Sequence, residues 1–346
     1  MEPLYDGFRS GAAVRLVRND GAGDDSDRNT FDRSAPRKGS QVRAGVLTAT
    51  TSDTGFTSLF ISARDGLRLH ARDYGPLAST ALPVICLPGF ARTAADFHEL
   101  ALALAQDDTK PRRVLALDYR GRGLSTYDKD WKNYDIRVEL DDVMQVLVAA
   151  GIEAAVFVGT SRGGLLTMAM GAARPGAIRG VVMNDIGPII DARGLLRVRG
   201  YVGKLPLPRS FTEGAEILKR LSDQQFPLFS DAEWEMMARR TWTDRDGKLK
   251  PDYDPNLMKV LEELDLEAPL PVLWSYFDGL KAVPMLAIRG ANSDMLAEKT
   301  LVEMGERHPD CETFTAPGQG HAPMLGTRDM VRRIGKLVAR AERRAA

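Results

Sequence analysis

The stretch Val156–Leu165 reads VFVGTSRGGL. An apolar, strand-like run ends in Gly159-Thr-Ser161-Arg-Gly163, and a helix-like run follows. G-x-S-x-G in that setting can hold a serine on a sharp, strained turn at the end of a buried strand. Its hydroxyl then projects past the strand, and the N–H of Arg162 opens the next helix, where it can face a developing oxyanion. A serine at neutral pH needs a base. The chain has 4 histidines. His70 lies mid-strand, His98 inside a helical run and His308 at a helix end before Pro309, so each reads as a packing or surface residue. His321 sits in Pro317-Gly-Gln-Gly-His-Ala-Pro323, after the last strand-like run and before the last helix. Its glycines free the loop to aim the ring over the sheet edge, and His321 is the expected base.

The histidine in turn needs an acid to fix its tautomer. Asp294, in RGANSDML just past the penultimate strand, is the favoured candidate. Asp185, ending the run 178–185, is its rival. Asp118 ends a strand on the other side of the serine's strand and reads as a loop-organising residue. The second oxyanion donor is expected from Leu87-Pro-Gly-Phe90-Ala91, where glycine lets the backbone approach and the N–H of Phe90 can face the serine.

These residues must be placed by a framework, and the apolar pattern supplies one. SLFIS and LRLHARDYG, separated by Arg64-Asp-Gly66, read as a β-hairpin. Continuous apolar runs at 83–89, 113–118, 154–159, 178–185, 283–290 and 311–317 read as strands buried on both faces. Helical spacing appears at 93–105, 135–151, 164–175, 295–307 and in a last helix reaching about Arg344. Alternating strand and helix implies a parallel sheet covered on both sides. From about Ile189 to Phe277 the alternation stops. This proline-punctuated segment is helix-prone and shows no buried strand. The expected organisation is an α/β core of 53–188 with 277–346, a helical insertion at 189–276, and a disordered tail over residues 1–52, which are rich in Gly, Asp, Arg and Ser.

Composition narrows the partners. The 346 residues carry 47 Lys+Arg against 47 Asp+Glu, a formal net charge of +0, so no nucleic-acid or electrostatic membrane partner is expected. Cys86 and Cys311 read as free packing thiols. No CxxC, Cys/His cluster or HExxH suggests a metal, and Gly121-Arg-Gly123 lacks the third glycine of a dinucleotide fingerprint. No cofactor is expected. The N-terminus shows no secretory h-region and no run approaches a membrane span, so a cytoplasmic protein with a small-molecule substrate is expected.

From roughly Ser58 onward the chain resembles the α/β-hydrolase family. The resemblance rests on GTSRGG, the DYRGRGLS loop, RGANSDML and GQGHAP, in this order and at these elements. It implies a mostly parallel eight-stranded sheet, a helical cap over the site, and the chain order Ser161, Asp294, His321. Members usually carry His-Gly in the oxyanion loop, where this chain has Pro88-Gly89. Members with aspartate at the elbow are dehalogenases and epoxide hydrolases, and Ser161 argues against both chemistries. The expected function is a carboxylesterase-like serine hydrolase of a small ester, lactone or related carbonyl substrate. The alternatives are a carbon–carbon bond hydrolase of an acidic ring-cleavage product, a weakly catalytic binding protein on the same fold and, less favoured, an acyltransferase. Arg193, Arg197, Arg199 and Lys204 are read as a solvated face, with carboxylate binding as the alternative.

Overall fold

The computed structural model describes residues 48–51, 55–266 and 268–345. Within them the strands are β1 (Thr48–Thr51), β2 (Thr57–Ser62), β3 (Arg68–Tyr74), β4 (Val84–Leu87), β5 (Val114–Asp118), β6 (Ala155–Thr160), β7 (Ile178–Asn184), β8 (Trp242–Arg245), β9 (Lys248–Pro251), β10 (Met285–Gly290) and β11 (Cys311–Ala316). Nine of them form one sheet in the order β1-β2-β3-β5-β4-β6-β7-β10-β11. From β5 to β11 every pairing is parallel, while β1, β2 and β3 join antiparallel at one edge. The expected α/β, mostly parallel eight-stranded sheet is therefore present, with β1 added as a short ninth strand. That strand corrects the reading of 1–52 as a tail. Thr48–Thr51 pairs with Thr57–Phe60. The rest of that segment lies outside the described residues.

The parallel strands read as continuous apolar runs because both faces are covered. Ile85, Leu87, Leu115, Leu117, Phe157, Val181 and Met183 point into one apolar layer. Their neighbours Val84, Cys86, Val114, Ala116, Val156, Val158 and Val182 point into the other. The first layer is closed by the helices Ile136–Ala149, Arg162–Ala173 and Glu298–Arg307. The second is closed by His98–Ala105 and Arg328–Ala345.

The insertion leaves after β7 and returns before β10, and the N–H of Leu273 donates to Pro188 O at 2.7 Å, drawing its two ends together. It carries the helices Ala192–Tyr201, Phe211–Ser222, Asp231–Thr241 and Leu257–Glu262. Part of it has its own apolar cluster of Ile217, Leu218, Phe226, Trp234, Ala238, Trp242 and Leu249. Among its described residues it contributes no strand to the central sheet, but it is not wholly helical. β8 and β9 form a separate antiparallel hairpin. Its turn residues Asp246 and Gly247 have φ of 58° and 74°, the left-handed pair that an Asp-Gly hairpin turn requires. The helix Trp274–Asp278 straddles the expected boundary at 276/277. Its Phe277 is buried in the main core, on the core side of that boundary.

Candidate active site

Ser161 follows β6 directly and precedes the helix Arg162–Ala173, with φ of 52° and ψ of −112°. The glycines permit this turn through close approach. A Cβ on Gly163 would stand 2.0 Å from Leu87 O, and one on Gly159 would stand 2.5 Å from the Gly163 carbonyl carbon. Both contacts are backbone atoms that cannot yield. The Ser161 N–H donates to Asn184 O at 3.0 Å, tying the turn to the adjacent strand.

His321 reaches this serine as expected. Its Nε2 lies 3.0 Å from Ser161 Oγ. Its Nδ1, however, lies 2.8 Å from Asp185 Oδ2, and the favoured Asp294 is elsewhere. Asp294 accepts two hydrogen bonds from Arg197, at 2.6 and 3.0 Å. The assignment of Asp294 as partner of His321 is therefore corrected to Asp185, the rival.

The sheet register gives the physical reason. Thr160 pairs with Asn184, and Asn184 with Ile288, so Ser161 and Asp185 occupy equivalent positions one step beyond adjacent strands. Asp294 comes only after β10 has ended and the chain has turned at Gly290–Ser293. That turn still serves the site. Ser293 Oγ donates to Asp185 Oδ2 at 2.6 Å, and the Gly290 N–H donates to Asp185 Oδ1 at 2.8 Å. Asp185 is fully buried and, like Ser161, has a positive φ, 55°. A buried carboxylate with three donors aimed at it is satisfied as an anion.

Other contacts hold the histidine loop. The N–H of His321 donates to Gln225 Oε1 of the insertion at 2.9 Å. Asn184 Nδ2 donates to Thr160 Oγ1 and to Pro323 O, linking the serine strand to that loop. Sequence reasoning did not find Ser293, Gln225 or Asn184, which act across more than a hundred residues or from the insertion. For Asp185 one usable signal existed: an aspartate ends the strand next in sequence to the serine's.

The two residues expected to supply oxyanion donors both flank the serine turn. Gly89 lies beside the turn, where an added Cβ would meet Ser161 Cβ at 3.9 Å, an ordinary van der Waals contact, and Phe90 lines the adjoining cavity. Arg162 is the first residue of its helix, where N–H groups lack intrahelical acceptors. The Arg162 side chain turns away from the cavity. It donates to buried Glu139 at 2.7 Å and to Tyr134 O at 3.1 Å.

A cavity of about 430 Å³ opens beside Ser161, Asn184 and His321. Its walls are largely apolar, among them Phe97, Val198, Leu218, Phe226, Met237 and Leu325. Three arginines also border it, and each is matched by a carboxylate: Arg92 by Asp96, Arg197 by Asp294 and Arg240 by Glu99. Burial works against the charge on Arg92 and Arg197, but the carboxylates outweigh it and both guanidinium pKa values are raised. Of the four basic residues weighed as a solvated face, Arg197 alone lines this cavity.

The remaining histidines do not approach Ser161. His308 Nε2 faces Leu280 O, and His98 Nδ1 faces the Tyr74 hydroxyl. His70 forms its own array, with Nδ1 2.7 Å from Asp118 and Nε2 3.1 Å from Ser58 Oγ. Ser58 lies within β2, not on a strained turn between a strand and a helix as Ser161 does. Asp118 also accepts from the N–H groups of Ala94 and Leu124, so it organises loops, as its sequence context suggested. Among the described residues no group of three or more His, Cys, Asp or Glu converges to hold a metal ion. No described helix is long and apolar enough to cross a membrane.

Comparison with known proteins agrees with the fold. The model of the alpha/beta hydrolase family matches residues 84–333. The chain is 28% identical over 273 residues to a 3-hydroxybutyrate-oligomer hydrolase of Cupriavidus necator, covering 76% of this chain and 91% of that one. It is 24% identical over 257 residues to a 2-(acetamidomethylene)succinate hydrolase of Mesorhizobium japonicum, covering 74% and 84%. Among solved structures, an alpha/beta hydrolase from Novosphingobium aromaticivorans superposes with a TM-score of 0.77 at 38% identity, covering 83% of this chain and 99% of that one.

Proposed function

The chain belongs to the alpha/beta hydrolase family, and from that premise we propose that it is a serine ester hydrolase acting on a small, uncharged acyl or hydroxyacyl ester. The observation that carries the proposal is the continuous array Ser161 Oγ–His321 Nε2, 3.0 Å, and His321 Nδ1–Asp185, 2.8 Å, at the floor of an apolar cavity. Ser161 Oγ attacks the ester carbonyl carbon while its proton passes to His321 Nε2. Asp185 holds the Nδ1 proton and stabilises the resulting imidazolium. The N–H groups of Phe90 and Arg162 receive the tetrahedral oxyanion. Collapse breaks the C–O bond, and His321 gives its proton to the departing alcohol. Water then attacks the acyl-enzyme, loses a proton to His321, and the acid leaves as Ser161 recovers its hydrogen.

The cavity volume suits a small molecule, within the range of about 300–1,000 Å³ typical of such sites. Its charge balance argues for a neutral reacting segment. Each bordering guanidinium already has a carboxylate partner within the protein, so an acidic substrate would have to displace one. This favours the ester reading over the carbon–carbon hydrolase of an acidic product. The similarity to a protein that hydrolyses 3-hydroxybutyrate oligomers points the same way. The insertion is the cap, since Val198, Leu218, Phe226 and Met237 supply much of the cavity wall.

Turnover of p-nitrophenyl butyrate and of the methyl ester of a 3-hydroxybutyrate dimer tests the proposal. Ser161-dependent release of alcohol from both is expected. A folded protein that hydrolyses neither ester contradicts it.

A further inference from the structure

We infer that the buried bridge Arg122–Glu139–Arg162 is a brace that sets the positions of the two oxyanion-binding amides, with Glu139 as its central positioning residue. The inference rests on the ester-hydrolase reading of Ser161. The two amides belong to separate elements, the loop after β4 and the start of the helix after β6, so something must fix one against the other. The Phe90 carbonyl accepts a hydrogen bond from Arg122 Nε at 2.8 Å. Arg122 then donates to Glu139 Oε1 at 2.7 Å, and Glu139 Oε2 accepts from Arg162 Nε at 2.7 Å. The chain of contacts thus begins on one oxyanion residue and ends on the other. The Phe90 ring closes it, with the two guanidinium carbons 5.4 and 5.6 Å from its centroid. Tyr119 adds a second hold on the same loop by donating to Pro88 O at 3.1 Å.

Stability alone does not account for this arrangement. Arg122 and Glu139 are both completely buried, and apolar residues of similar volume commonly fill such places at no loss of stability. Arg122 even leaves Nη2 buried without a partner, a cost that an apolar side chain would avoid. The Arg162 side chain contributes nothing to the amide itself, and it points away from substrate. The sheet pairs β4 with β6 only as far as Leu87 and Gly159, and the bridge adds a hold between the loop and the helix that follow those ends. Glu139 is also needed electrostatically, because without it two like charges would face each other beneath the loop.

The test uses Arg162→Gln, which keeps the Arg162 amide and leaves Glu139 paired with Arg122, together with Glu139→Gln and the conservative Glu139→Asp. Three quantities are measured on the full chain: kcat and KM for p-nitrophenyl butyrate, inhibition by a trifluoromethyl ketone that mimics the tetrahedral anion, and hydrogen exchange in the peptide containing Phe90. In Arg162→Gln and Glu139→Gln, kcat is expected to fall about 10- to 100-fold, as misplaced groups cause, with KM within about two-fold. Inhibitor affinity should fall in proportion, and Glu139→Asp should recover part of the loss. The Phe90 peptide should exchange faster in Arg162→Gln, although the substitution lies on another element. A lower melting temperature with unchanged kcat and inhibitor affinity overturns the brace. Unchanged exchange at Phe90 in Arg162→Gln overturns it whatever the activity. Wild-type protein that neither hydrolyses esters nor binds the ketone instead overturns the reading of Ser161. Should Glu139→Gln fail to fold, Arg162→Gln decides alone.

Discussion

Replacing Asp185 by asparagine changes one atom in a fully buried cluster and should disable the histidine. Asp185 Oδ1 accepts from the Gly290 N–H, and Oδ2 accepts from both Ser293 Oγ and His321 Nδ1. In the asparagine variant the carbonyl oxygen keeps its bond to Gly290, and the amide nitrogen takes the place of Oδ2. That nitrogen can only donate. Ser293 can rotate to accept, but His321 Nδ1 can meet a donor only by giving up its own proton. The imidazole hydrogen then moves to Nε2, facing Ser161 Oγ at 3.0 Å. A base that already carries a proton cannot take another from serine. Where this tautomer swap has been made in a related array, the rate falls about 10⁴-fold, roughly 5 kcal/mol of transition-state stabilisation. KM should change little, because Asp185 does not line the cavity. The control is Asp294→Asn, which weakens the partly buried pair with Arg197 and removes none of the contacts joining Ser161, His321 and Asp185. It should leave kcat for a neutral ester within about three-fold. Steady-state hydrolysis of p-nitrophenyl butyrate by both variants checks this. A crippled Asp294→Asn beside a healthy Asp185→Asn would refute the reasoning.

Other consequences follow from the same geometry. Freed from its carboxylate, Arg197 in Asp294→Asn should favour an anionic ester: the ratio of kcat/KM for p-nitrophenyl hemisuccinate over p-nitrophenyl butyrate should rise about five-fold, roughly 1 kcal/mol, and a constant ratio would show that Arg197 does not sense substrate charge. Gly163→Ala places a methyl group 2.0 Å from Leu87 O, so it should cost about 3 kcal/mol or more and abolish ester hydrolysis, as a melting curve and an assay would reveal; an active, equally stable variant would contradict the close approach. Removing residues 1–52 deletes β1 and uncovers the edge of β2, so its melting temperature should lie about 2–4 °C below that of a protein lacking only 1–46, and identical values would mean that β1 adds nothing.

The framework was legible because continuous apolar strands bounded by glycine and proline admit few readings. The same holds for Ser161 and His321, which sit at junctions where glycines have little other purpose. Asp185 was harder to choose. Two aspartates follow strands near the serine, and only lateral strand order and register decide between them. That β7 lies directly beside β6 and carries Asp185 level with Ser161 is a fact of pairing, which local sequence does not encode. The hairpin Trp242–Pro251 had a readable mark in Asp246-Gly247, yet its strands are four residues long and a helical background hid the alternation. The Arg122–Glu139–Arg162 bridge gave no local sign. Charged residues usually read as solvated, and these three are brought together by the packing of a loop and two helices.

Phosphonylation of Ser161 tests the central claim most directly. A serine is inert to an organophosphonate unless a base takes its proton and donors hold the anion, so the probe reports the whole array at once. Intact-mass and peptide analysis should find one adduct per chain, on the peptide spanning Gly159–Gly164, absent in Ser161→Ala and strongly slowed in both His321→Ala and Asp185→Asn. A folded protein that takes no label at this peptide, or that labels equally well as Ser161→Ala, would contradict the account.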